Sequence, residues 1–153
     1  DQEIRDQFLA TYEQAIQGTL DHWLESPESA LALVILLDQF PRNMFRDTPQ
    51  AFASDVLACR AAEQAIKQQF DQQLNQEQRK FLYMPYMHSE QLSEQKTALS
   101  LFEALGLENT YQYAIAHHDI IERFGRFPHR NTILNRSSSP EEVAFLQEPG
   151  SSF

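Results

Sequence analysis

From Ala30 to Leu37 the chain reads ALALVILL, apolar throughout and with no polar stripe at the helical period. A helix that is apolar on every face must lie inside a domain, with neighbours on all sides. The run is too short to cross a bilayer, which takes roughly 20 apolar residues. It therefore predicts a buried central helix that the rest of the chain has to cover. Ser26-Pro27 supplies its start, a capping side chain followed by the residue best tolerated at the first helical position. Pro41 is expected to end it at Phe40, because proline disfavours helical geometry in the residue before it. The central helix is thus read as Ala30–Phe40, delivering the polar residues Asp38, Gln39, Arg42 and Asn43 at its C-terminal end.

The remaining segments also carry helical signals and no strand alternation. Ile4, Phe8, Tyr12 and Ile16 recur every four residues, and Gly18 closes that helix. Thr48-Pro49 opens a helix with Phe52, Val56, Cys59, Ala62, Ile66 and Phe70 on one face. Cys59 lies in that stripe, which makes it a core residue rather than a nucleophile. Asn75 and Gln78 have the spacing of a capping box for a short helix that Pro85 should break or kink. Ser89 can cap the next helix, with Glu90 at the favourable end of its dipole, and that helix runs to Gly106. Thr110 opens a further helix with Tyr113, His117, Ile120 and Phe124 inward and Gly125 as its C-cap. Ser139-Pro140-Glu141-Glu142 starts a final helix of one or two turns. Short turns between helices suggest antiparallel pairs stacked side by side, in one domain spanning residues 1–153.

Charge narrows the possible partners. With 12 basic and 22 acidic residues the formal net charge is −10. Nucleic acids and anionic membranes both select a basic face, so neither is expected as a partner. A single cysteine and no visible signal peptide or membrane span point to a cytoplasmic protein.

Three clusters carry the chemistry. His117 to Asn131 (HHDIIERFGRFPHRN) contains three histidines and the fork-shaped donors Arg123, Arg126 and Arg130, suited to phosphate or carboxylate. Asp38, Arg42 and Asn43 form the second, and Tyr83, His88 and Glu90, around Pro85, the third. His117, His88 and His129 are the candidates for proton transfer. Each cluster also has a structural reading: a core histidine, local ion pairs, capped helix ends. His118 and Glu122 stand four apart, but HExxH, paired Glu-x-x-His and cysteine pairs are all missing, so no metal site is expected. No phosphate loop or nucleophile elbow is present, and no cofactor is expected.

LALVILLDQFPRN, FLYMPYMHSE, IIERFGRFPHRN and SSPEEVAFLQEPGSSF together resemble the bacterial domain-of-unknown-function 924 family, over essentially the whole chain. The resemblance implies an all-α fold, a right-handed helical array akin to tetratricopeptide-repeat (TPR) proteins, although no clean 34-residue repeat is visible. It implies no activity. Family members usually begin with an aromatic-rich segment that this chain lacks, so an N-terminal helix is expected to be missing. They also often carry Arg where this chain has His118. Two functions follow. One is a pocket for a small anionic ligand, held by Arg42, Arg123, Arg126 and Arg130, for binding or acid–base chemistry. The other is a TPR-like module for a protein partner, with the polar clusters acting only as structural locks. Convergence of the clusters on one concavity would favour the first.

Overall fold

The computed structural model describes residues 2–153, in which helices are the only regular elements. These are α1 (Gln2–Ile16), α2 (Pro27–Met44), α3 (Asp55–Lys67), α4 (Gln76–His88), α5 (Leu92–Leu105), α6 (Glu108–Phe124) and α7 (Pro140–Leu146). Short 3-10 turns punctuate the connections, among them Pro49–Ala51 and Pro128–Arg130. From α1 to α6 each helix packs on the next, and α2 also meets α4. No helix among the described residues is long and apolar enough to cross a membrane.

The central helix is buried as its sequence demands. Leu33, Val34, Leu36 and Leu37 all lie in the main core, with only Ala32 of the apolar run exposed. Tyr12 from α1, Ala58 and Ala62 from α3, Leu82 from α4 and Phe102 from α5 close around it. A second, smaller core of Ile120, Ile121, Phe127 and Phe145 joins the end of α6 to α7.

Pro41 does not stop α2, which runs on to Met44. A proline in mid-helix leaves the carbonyl four residues back without its amide donor. Here that carbonyl is Leu37 O, and the buried Ser54 hydroxyl donates to it at 2.6 Å. Tyr12 in turn donates to Ser54 Oγ at 3.1 Å, tying α1 into the same repair. Pro85 likewise lies inside α4 without ending it. The carbonyls at the end of that helix are met from outside: Gln95 Nε2 donates to Met87 O and Ser89 O, and Arg130 Nη2 to His88 O.

Other boundaries differ by local amounts. Thr48-Pro49 starts a 3-10 turn, and α3 begins only at Asp55. The sixth helix opens at Glu108 rather than Thr110. Three residues read as inward face solvent instead: Ile16, Val56 and Tyr113, exposed at 44%, 59% and 60%. Both capping boxes form, at Asn75 with Gln78 and at Ser139 with Glu142. Cys59 is buried and donates its thiol to Glu94 at 2.7 Å. Burial and that carboxylate push the thiol pKa up, away from nucleophile chemistry.

Candidate functional site

The C-terminal ends of α2 and α4, the 3-10 turn before α3, the middle of α6 and the 3-10 turn after α6 surround a cleft of about 330 Å³. Its polar lining includes Arg42, Arg46, His88, His117, His129 and Arg130. Phe52, Phe127, Ile133 and Phe153 supply apolar walls. His88 and Arg130 also border an adjoining lobe of about 300 Å³, shared with Asp55, Glu90 and Glu94. Residues from all three sequence clusters thus reach one concavity, although several members stay outside it.

Asp38 anchors the site from beneath. It is fully buried one turn before Arg42, and its Oδ1 lies 2.7 Å from His88 Nδ1. Burial opposes its charge, but His88, Arg42 and Gln39 outweigh that penalty and hold its carboxyl below the ordinary range. An ionised carboxylate only accepts, so His88 Nδ1 is the donor and Nε2 is the ring nitrogen left for the cleft. Gln39 Nε2 donates to the other oxygen at 2.7 Å.

Arg42 is committed. Its guanidinium bonds both oxygens of Asp55, at 2.8 and 3.0 Å, and also Asp38 O at 2.8 Å. Arg130 is different. It is 6% exposed and stacked between Phe52 and Phe127, 4.3 and 4.7 Å from the ring centroids. Its nearest carboxylate, Asp55, lies 3.7 Å away and already carries Arg42, and Glu90, the other carboxylate that supports its charge, is taken up by Arg136. Its Nε is buried without a partner, and burial drives the group's pKa down to about 10. A cation short of counter-charge, in a water-poor wall, has unspent capacity for an anion.

Two neutral imidazoles complete the lining. His117 Nδ1 lies 2.6 Å from Tyr113 O, and a carbonyl only accepts, so the proton sits on Nδ1 and Nε2 keeps a lone pair. Burial drives the His117 pKa down to about 3 and that of His129 down to about 4, with Arg130 adding to both. His129 Nδ1 is buried without a partner.

The remaining candidates have other work. Glu90 clamps the segment after α6: its carboxylate takes Arg136 at 2.9 and 3.1 Å and the Phe127 amide at 2.6 Å. Burial opposes its charge too, yet those donors keep its carboxyl below the usual range. Arg126 lies outside the cleft and pairs with Glu142 through two contacts of 2.9 and 2.7 Å, and with Ser137 O at 2.7 Å. Asn131 is buried in the same lock, bonded to Ser138 and Arg136. Arg123 is exposed and lies over Phe124 and Phe145. Tyr83 is in the core and donates to the buried Asp71 at 2.6 Å. Asn43 is half-buried beside the cleft lining, within reach of Gln39 O and Arg46.

Sequence reasoning missed Arg46, Asp55, Phe52, Arg136 and Phe153. Asp55 opens α3, a position that favours negative charge, but the start signal at Thr48-Pro49 placed it in mid-helix, where that role does not show. Nothing local marks the others, which the fold alone brings in. On the outer face of α6, one donor atom each from His118, Asp119 and Glu122 lie within 4.8 Å of one another, with both acids exposed.

Among curated proteins none matches this chain. A solved structure described as a protein of unknown function, ATU0120 from Agrobacterium tumefaciens, is 45% identical and superposes with a TM-score of 0.90. That likeness covers 94% of this chain and 81% of the other. A family model described as a bacterial protein of unknown function, DUF924, matches residues 1–150. With cores, cleft and motifs spread across that whole match, the chain belongs to the DUF924 family of bacterial proteins.

Proposed function

We propose that the cleft binds a small anionic ligand, a carboxylate or phosphate, and performs acid–base chemistry on it through His88. The observation that carries this reading is Arg130, a buried guanidinium with an unpartnered Nε, bordering the same cleft as His88. An anion there gains charge-assisted hydrogen bonds that the protein itself does not provide. His88, steered by Asp38, is the group to give or take a proton, because its partner fixes both tautomer and orientation. His117 Nε2 is a second acceptor across the cleft, with 6.4 Å between the two ring centroids. Arg46 adds positive charge to the lining beside the acidic Asp47, while the charge of Arg42 is met by Asp55.

We further infer that the helices form antiparallel pairs in a right-handed, TPR-like array, a reading supported by the packing of each helix on its successor. Such an array serves as readily for docking a protein partner. Convergence of His88, Arg130, Arg42 and His117 on one cleft supports the small-molecule reading. Arg42, His88 and His117 each hold a protein partner as well, and the unpartnered Nε of Arg130 is what a purely structural role leaves unexplained.

Calorimetric titration with acetate and with inorganic phosphate tests the reading. One charge-assisted bond contributes about 1.5–3 kcal/mol, roughly ten- to a hundredfold in affinity. Arg130→Gln should therefore weaken binding by at least about tenfold, while Arg123→Gln should leave it unchanged. Equal affinity in both variants, or no heat with either anion in the unmutated protein, would count against the pocket.

A further inference from the structure

We propose that the slot bounded by His117, Phe127 and His129, filled by the ring of Phe153, is an aromatic subsite, and that the cleft takes an anion bearing a planar ring that enters by displacing Phe153. This rests on the anion-binding reading above and adds the ligand's second recognition element. Phe153 lies flat on the His117 imidazole, with 3.6 Å between centroids and 16° between planes. Its ring meets Phe127 at 83° and His129 at 78°, at 6.4 and 5.8 Å. One parallel face and two perpendicular edges make the geometry in which flat rings are held.

The walls of the slot are more deeply buried than its occupant. Phe127 is fully buried, and His117 is held by its bond to Tyr113 O. Phe153 is 50% exposed, and the segment leading to it is held through one side-chain hydrogen bond, from Ser151 Oγ to Leu146 O at 3.3 Å. Gly150, at φ +77° in open space, lets that segment turn without a side chain to hinder it. Arg130, whose guanidinium stands 4.7 Å from the Phe127 ring, lines the same cleft as Phe153. A ring taking the place of Phe153 would therefore carry an attached carboxylate or phosphate towards the underpaired cation. Neutral His117 suits that role, because an uncharged imidazole stacks on an aryl face without needing a counter-ion.

The test compares benzoate and phenyl phosphate with acetate, inorganic phosphate and cyclohexanecarboxylate, by calorimetry on the unmutated protein and on Phe153→Ala. The two aryl anions should bind about tenfold more tightly to the variant, because they no longer compete with the resident ring. Acetate and inorganic phosphate should change less than about twofold, and cyclohexanecarboxylate should gain less than benzoate. Whichever aryl anion gains more identifies the head group. Weaker or unchanged aryl binding in Phe153→Ala would make Phe153 a wall of the site and overturn the proposal, as would an equal gain for acetate. Those results leave the anion pocket standing, whereas silence of acetate and inorganic phosphate on the unmutated protein removes the pocket itself.

Discussion

His117 should make the protein acid-sensitive well above the pH at which carboxylates titrate. In the folded chain burial holds its pKa at about 3, against an ordinary value of 6.5. Between those values the unfolded chain carries a proton on this residue and the folded chain does not. Stability therefore falls as pH falls through that window, at about 1.4 kcal/mol per pH unit. From pH 7.5 to 4.5 the loss accumulates over two units below 6.5 and comes to about 2.5 kcal/mol from this residue alone. The perturbation is His117→Asn, whose amide nitrogen overlies Nδ1 and keeps a donor for Tyr113 O while removing the titration. Urea unfolding at pH 7.5 and 4.5 gives four free energies, and their double difference cancels the lost stacking on Phe153, which is the same at both pH values. The unmutated protein should lose about 2.5 kcal/mol more than the variant between the two. Parallel pH dependence in both proteins would refute the argument, since it would mean that His117 titrates alike in the folded and unfolded chains.

Two further outcomes follow from the packing. Leu36→Ala should lower unfolding free energy by about 2–5 kcal/mol, because Leu36 is buried in the middle of the main core; an unchanged urea midpoint would contradict that placement. Arg126→Ala should loosen the segment from Ser137 through α7, speeding proteolysis there, without weakening acetate or phosphate binding as Arg130→Gln does; loss of binding without loosening would mean that Arg126 serves the ligand after all.

Much of this architecture was legible from spacing and punctuation. The apolar run had to be a buried helix, and both capping boxes formed where their residue patterns stood. What misled was the proline at position 41, because its consequence depended on Ser54, a residue thirteen positions on that is aimed back by a turn. The arginines after α6 show the same limit. Arg123, Arg126 and Arg130 are chemically alike in sequence, yet one is exposed over aromatic rings, one is locked to Glu142 and one is buried short of charge. Partners such as Glu142 and Asp55 settle those roles, and they are not neighbours in the chain. Periodicity erred where a stripe was too generous, since Val56 and Tyr113 lie on the solvent side of helices whose neighbours are buried.

The hydroxyl of Ser54 on Leu37 O has a consequence for cooperativity. The last turns of α2, which hold Asp38 and Arg42, lack a ladder bond that local sequence cannot restore. The missing donor comes from Ser54, just before α3, which is itself bonded by Tyr12 of α1. Three helices must therefore assemble before the carboxylate that steers His88 has a fixed position. Opening of any one of them would disperse the site, and native-state hydrogen exchange should report the amides of 38–44 and 55–59 as a single protected block.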